Sequence, residues 1–208
     1  MVETDKKREA IIEGAIKRFI HYGINKTTMN EIADDLSMSK PSLYYYFPDK
    51  SALVLAVAEK IIGEYWQAAE SIFKKELDFE KSMLGLIDFK YEFLKKYFML
   101  HLGTDAREQF KNEKMLCLVH DLKLQECEMI ADKLDVAHAD GRLCIHNPKV
   151  VAELFMDAMI GLRMFLQLER VAIPDDESFE RLYLKQKQLA EIFINGIKCN
   201  TDGTTDSK

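Results

Sequence analysis

The side chains best placed for chemistry in this chain are hydrogen-bond donors and cations, not nucleophiles. Lys40, Ser42, Tyr44, Tyr45, Tyr46 and Lys50 stand close together, with Thr28 shortly before them. Ammonium and hydroxyl groups at such spacing can bond phosphate oxygens and the edges of bases, while Pro41 and Met29 can touch a thymine methyl. Catalytic constellations are missing from the chain. It carries no nucleophile elbow, phosphate-binding glycine loop, glycine-rich dinucleotide motif or His-Glu-x-x-His. Neither an enzymatic activity nor a cofactor is expected.

Such donors need rigid support, and the stretch TTMNEIADDLSMSKPSLYYYFPDK (27–50) supplies it. Thr28 and Glu31 have the spacing of a capping box, so a short helix starts there. Ile32, Ala33 and Leu36 give that helix an inward face, and Leu36-Ser37-Met38 forms a turn. Ser39 can cap a second helix, and Pro41 is tolerated in its first turn because it lacks only a donor that would be orphaned anyway. Met38 and Leu43 point back to a small core. Lys40, Ser42, Tyr44, Tyr45 and Tyr46 then sit on a helix too short to bury them all. Two short helices with polar and aromatic groups on the second make a helix-turn-helix, a unit that places its second helix in the DNA major groove.

The register of this segment resembles the DNA-binding domain of the tetracycline-repressor (TetR) family. The resemblance is carried by Ile11-Ile12, Gly14-Ala15, Phe19, Gly23, Thr27-Thr28, Ile32-Ala33, Ser39-Lys40, Leu43-Tyr44, Tyr46-Phe47, Lys50 and Ala52-Leu53, roughly the first quarter of the chain. Ser37 departs from the pattern where the family often has glycine, and Pro41 where a small residue is common. The resemblance implies that Thr28, Tyr46 and Lys50 meet phosphates and that Lys40, Ser42 and Tyr45 lie nearest the bases. Tyr44 either contacts DNA or packs under the domain. It also implies a homodimer joined through the last two long helices, binding a near-palindromic operator as a ligand-responsive regulator, in the main a repressor.

The net charge of −6 looks unsuited to DNA until it is divided along the chain. Residues 1–50 hold as many acids as bases, so residues 51–208 carry the whole excess. Phosphate affinity depends on the local field, and Lys26, Lys40, Lys50 and the Lys6-Lys7-Arg8 run can make one face basic. The charged first nine residues give no expectation of a signal peptide. The most apolar run, Val150 to Leu168, contains Glu153, Asp157 and Arg163 and fits a buried helix better than a membrane span. Cys117, Cys127, Cys144 and Cys199 lack C-x-x-C spacing; the expectation is no disulfide framework, no zinc site and a reducing cytoplasm.

Almost the whole chain reads as helix, which predicts an all-α protein. Helices are expected over about 6–22, ending at Gly23, and over 50–75, 80–101, 104–111, 114–138, 148–169 and 177–198. Asp78, Thr104, Asn147 and Asp176 are the expected starts, and Gly103 and Gly141 the breaks. A three-helix DNA-binding domain (1–50) is thus joined by a long connector helix to a helical ligand-binding and dimerisation domain (51–199). Residues 200–208 form a polar tail expected to be disordered.

Tyr65, Trp66, Tyr91, Phe98, Phe155 and Met159 are candidates to line an apolar or aromatic effector's pocket, with Phe73, Tyr97, Phe110 and Met156 nearby; plain core is the competing reading. Phe155, Leu162, Arg163, Phe165, Leu189 and Phe193 are candidates for the dimer interface. Arg163, inside an apolar run, is read as buried and in need of a partner such as Asp157 or Glu169 of a facing subunit, or an anionic ligand group. His101, His120, His138 and His146 assemble no complete metal set. The rival to a regulator is an enzyme or helical small-molecule carrier that retained a helix-turn-helix.

Overall fold

The computed structural model describes residues 2–76, 78–102, 113–168 and 175–199. Eight α-helices occupy them: α1 Val2–Tyr22, α2 Met29–Asp35, α3 Lys40–Tyr46, α4 Lys50–Lys75, α5 Phe79–Leu102, α6 Glu113–Ala139, α7 Pro148–Leu168 and α8 Asp176–Ile197. No helix is long and apolar enough to cross a membrane among these residues. The helix expected over 104–111, the break at Gly103, Phe110, Glu169 and the tail 200–208 lie outside the described residues. So do the side chains of His101 and Phe165.

The expected caps are present. α1 begins earlier than expected, at Val2, and ends where Gly23, at φ 81°, donates its N–H to the Phe19 carbonyl at 2.9 Å. Asp49 caps α4 through the Ala52 N–H at 2.8 Å. Asp78 accepts from the Lys81 N–H at 3.0 Å, and Asn147 from the Lys149 and Val150 N–H groups, so α5 and α7 start as read. In α8 the cap is Asp175 rather than Asp176; it holds the Ser178 N–H at 2.9 Å.

The chain divides into two compact units. One comprises Met1–Ala68 with Glu92–Leu122, the other Ala69–Tyr91 with Lys123–Lys208. In the first, α1 contributes Ile11, Ile12, Ala15 and Phe19 to a core shared with Ile32 and Ala33 of α2, Leu43 of α3, and Leu53, Ala56, Val57 and Ile61 of α4. By packing, therefore, the first half of α4 belongs with the helices before it. Gly14 lets α1 and α2 approach closely: a Cβ there would lie 2.8 Å from a methyl of Leu36. Lys60 of α4 pairs with Glu9 of α1, and Tyr97 of α5 donates to Glu64 of α4 at 2.9 Å.

In the second unit, Met83, Leu86 and Ile87 of α5 are buried with Ile130 and Leu134 of α6, Ala152, Phe155, Met156 and Met159 of α7, and Leu182, Ala190 and Ile194 of α8. Its buried polar groups are partnered: Glu126 pairs with Lys90, and Gln186 donates to the Met159 carbonyl at 3.2 Å.

One sequence expectation fails here. Cys144 and Cys199 are joined in a disulfide, with Cα atoms 4.9 Å apart. Their separation of 55 residues hides a pairing made only when the α6–α7 connection meets the end of α8. Within the single chain Arg163 is exposed, and Asp157 is paired with Lys123 at 2.6 Å. An apolar stretch of sequence does not reveal which side of a helix is left uncovered.

The turn between α2 and α3 shows how the chain manages without glycine. Ser37 takes the left-handed conformation at φ 52°. Its N–H bonds the Asp34 carbonyl at 3.0 Å, and the Met38 N–H bonds that of Ala33 at 2.9 Å, the paired bonds of a Schellman motif. A residue with a Cβ is strained there. Ser37→Gly is expected to stabilise the protein by about 0.5–1 kcal/mol, the left-handed penalty less glycine's extra backbone entropy. An unchanged or lowered denaturation midpoint would show that the serine is not strained.

Candidate nucleic-acid interface

Thr28 builds the first side of the site. Its hydroxyl accepts from the Glu31 N–H at 3.3 Å, and the Glu31 carboxylate accepts from the Thr28 N–H at 2.8 Å, completing the capping box read from the sequence. Ser39 caps α3 by accepting from the Ser42 N–H at 3.3 Å, with Pro41 in the first turn. Leu43, fully buried, anchors α3, while Met38 and Tyr46 pack partly against the same core.

With that face fixed, the rest of α3 is turned outward. Lys40 and Pro41 are exposed and Ser42 is half-buried. Tyr45 is 78% exposed and Tyr44 45%. A tyrosine ring that open on a helix of seven residues serves no core; Tyr45 is braced edge-on against Tyr46, with ring centroids 5.2 Å apart. Tyr46 and Lys50 are half-buried at the junction with α4. Partial burial pulls the Lys50 ammonium below the usual lysine value, and the Glu31 carboxylate opposes that shift. A phosphate beside it would favour the charged form further.

The electrostatics of α2 depend on a residue that the sequence reading missed. Arg18 of α1 reaches Glu31 at 2.9 Å and Asp35 at 2.7 Å, and its guanidinium lies over the Tyr22 ring. Two carboxylates near the donors are thus matched by a cation from behind. Glu9 and Glu13 likewise face Lys60. No local spacing signals Arg18, because its partners lie on another helix. The acids of residues 1–50 need not repel a polyanion as their number suggests.

The capping box gives a pH prediction. Bonds from the Thr28 N–H and hydroxyl, with Arg18 adding to them, hold the Glu31 carboxyl below its usual value. A depressed carboxyl stabilises the fold above its unfolded pKa, about 4.3. That contribution is lost as pH falls through the lower folded value. Glu31→Gln retains an acceptor but does not titrate, so its stability should fall less steeply than the parent's below about pH 4.3. Identical acid-unfolding profiles for the two proteins would remove Glu31 from this role.

The remaining candidates fall in two places. Tyr65 and Phe98 are buried and Trp66 half-buried in the first unit, where Tyr65 meets Phe93 edge-on at 5.1 Å. Tyr91, Phe155 and Met159 belong to the second unit. There Tyr91 donates to Glu180 at 3.0 Å and stacks on Tyr183 at 4.5 Å. Phe155 is 2% exposed and contacts Phe193 at 5.0 Å within the chain. Leu162, Leu189 and Phe193 are half-buried, and Arg163 is exposed. The apolar side chains left open on α7 and α8 are others: Val150, Leu154, Met164, Leu184 and Ile192. Among the described residues, no group of His, Cys, Asp and Glu is arranged to hold a metal ion.

Residues 11–57 match the sequence family described as bacterial regulatory proteins, tetR family. The probable acrEF/envCD operon repressor of Escherichia coli is 28% identical over 62% of this chain. That match spans 54% of the repressor's own length, and other curated regulators are matched over as little as 18% of theirs. A transcriptional regulator from Cytophaga hutchinsonii superposes with a TM-score of 0.83 at 29% identity, covering 93% of this chain and 99% of that one. A regulator from Saccharomonospora viridis, solved in complex with choline, has a TM-score of 0.75 over 94% of this chain and 100% of its own. At 18% identity it speaks to the fold alone. Residues 11–57, with the capped two-helix unit and its outward α3, thus belong to the TetR family of bacterial regulatory proteins, and the described chain shares the fold of regulators of that kind.

Proposed function

We propose that this chain is a homodimeric, ligand-responsive transcriptional repressor acting in the cytoplasm. Two copies set their α3 helices into major-groove half-sites of a near-palindromic operator. The observation that carries the reading is α3 itself: a short, doubly anchored helix presenting Lys40, Ser42, Tyr44 and Tyr45 outward, flanked by Thr28, Tyr46 and Lys50. Residues 1–50 act as the reader and residues 51–199 as the ligand-binding and pairing domain. The uncovered apolar side chains of α7 and α8 support pairing of two copies.

The effector is a mainly apolar or aromatic small molecule. The aromatic content of α4 and α5 supports that reading. Its binding tilts α4 and moves the readers out of register. The effector shifts that equilibrium only by its differential affinity for the two states.

Selection of bound duplexes from a random DNA pool tests the proposal. The expected product is an inverted repeat with half-site centres about 34–36 Å apart or a multiple of it, bound with a steep salt dependence. A pool that never enriches would overturn it. Apolar compounds should then release the selected duplex, and Trp66 emission should change in parallel; release only by strongly polar compounds would refute the apolar effector.

A further inference from the structure

The Cys144–Cys199 pair has no part in the DNA reader or in the effector reading, yet it is firmly built in. Cys144 lies in the connection between α6 and α7, and Cys199 two residues past α8. Leu143 and Lys198 form an antiparallel bridge beside it. The Cys144 N–H donates to the Ile197 carbonyl at 2.8 Å and the Cys199 N–H to that of Arg142 at 3.1 Å. Lys198 is held in turn by Glu80 at 2.7 Å. Leu143 and Ile145 are buried on either side of Cys144, so the backbone is anchored while Cys144 itself is exposed and Cys199 half-buried.

The covalent loop closed by this bond contains the whole of α7 and α8, the two helices with the uncovered apolar face. Of the other cysteines, Cys127 is buried, and burial pushes its thiol up, away from the reactive thiolate. Cys117 is a free thiol on the surface of α6. Cys144 and Cys199 alone combine a covalent partner, an exposed residue at Cys144 and a backbone frame of two hydrogen bonds that holds the two near each other.

We propose that Cys144 and Cys199 form a reversible thiol–disulfide site that sets how firmly the end of α8 is clipped, and through it the strength of the dimer. In reduction, a thiolate of a small or protein dithiol attacks the sulfur of Cys144, the more exposed residue of the pair. The S–S bond breaks, Cys199 leaves as a thiolate and takes up a proton, and a mixed disulfide remains on Cys144. The reductant's second thiolate attacks its own sulfur in that mixed disulfide, releases Cys144 as a thiol and departs as the oxidised disulfide. Two electrons have moved from the dithiol to the protein. A disulfide oxidant reverses each step. The two backbone hydrogen bonds survive reduction, so the clip loosens without unfolding.

The dimer arm rests on the proposed pairing of two copies; the thiol chemistry does not. Full-length protein is equilibrated in defined mixtures of reduced and oxidised dithiothreitol, quenched with a maleimide mass tag, and followed by hydrogen exchange and by sedimentation. The expected results are tag uptake at Cys144 and Cys199 that tracks the mixture reversibly, and amide exchange at residues 197–199 faster by about tenfold on reduction. A dimer dissociation constant raised by about tenfold should accompany them, and Cys144→Ser with Cys199→Ser should match the reduced parent in every mixture. Uptake that ignores the mixture overturns the site. Reversible uptake with unchanged exchange and dimer affinity overturns its regulatory role. Failure of the protein to select any DNA while these shifts occur would count against the repressor reading only.

Discussion

Ile192→Asp is expected to yield a folded monomer that no longer holds its operator at concentrations where the parent is saturated. Ile192 is 70% exposed on α8, and Leu154, 63% exposed, stands on α7. Val150, Leu154, Gly161 and Met164 fall on one side of α7 by helical spacing, and a Cβ on Gly161 or on Gly196 of α8 would meet nothing. Water-facing apolar groups on two adjacent long helices are the surface a second copy would cover. A two-fold interface places each substitution twice, so two unpaired carboxylates would be buried together. We expect dimerisation to weaken by about a thousandfold or more, several kcal/mol in free energy. Operator binding should fall by a further 10²–10⁴ relative to the linked pair, roughly the gain from tethering two half-site readers. Ile192 is a better probe than Phe193. The Phe193 ring rests on Phe155 inside the chain, so a charge there would disrupt the protomer before the pairing could be judged. Sedimentation and far-UV dichroism read the outcome; an Ile192→Asp protein that remains a tight dimer would place the interface elsewhere.

The contrast between Ile192 and Phe193 shows where the sequence stops being legible. They are neighbours in α8, as Leu154 and Phe155 are in α7, and neighbours in sequence point to different sides. When a helix is apolar nearly all round, periodicity reveals that it is central but not which stripe its own chain covers. Among the candidate interface residues, Phe155 is core within its own chain. The reader was legible for the opposite reason. Its caps, turn and anchors are local: Thr28 to Glu31, Ser39 to Ser42, Leu43 behind an exposed Tyr45. Each link spans a few residues, so spacing alone specifies it. Arg18 with Glu31 and Asp35, and Cys144 with Cys199, are long-range pairings that depend on how helices meet, and no local pattern encodes them.

The reader itself should separate into two kinds of residue. Tyr46→Phe and Lys50→Ala remove groups at the junction of α3 and α4, both half-buried and so fixed in place. A positioned donor beside the duplex serves phosphates, which carry no sequence information. Each substitution should weaken binding to every duplex alike, and Lys50→Ala should also reduce the slope of log affinity against log salt by about one. Lys40 and Ser42 are in the first turn of α3, the end that points toward base edges when such a helix enters the major groove. Lys40→Ala and Ser42→Ala should instead change the ranking among operator variants, by about 1–3 kcal/mol at the base pair each one reads. Tyr45 adds a third expectation. With so little of its ring covered, Tyr45→Ala should leave the melting temperature near the parent's while reducing operator affinity, because its surroundings in the free protein are mostly water. The decisive measurement is affinity for a panel of single-base operator variants at two salt concentrations, with thermal unfolding alongside. If Lys40 and Ser42 variants rank the panel as the parent does while Tyr46 and Lys50 variants reorder it, then α3 enters the groove the other way round from its exposed face.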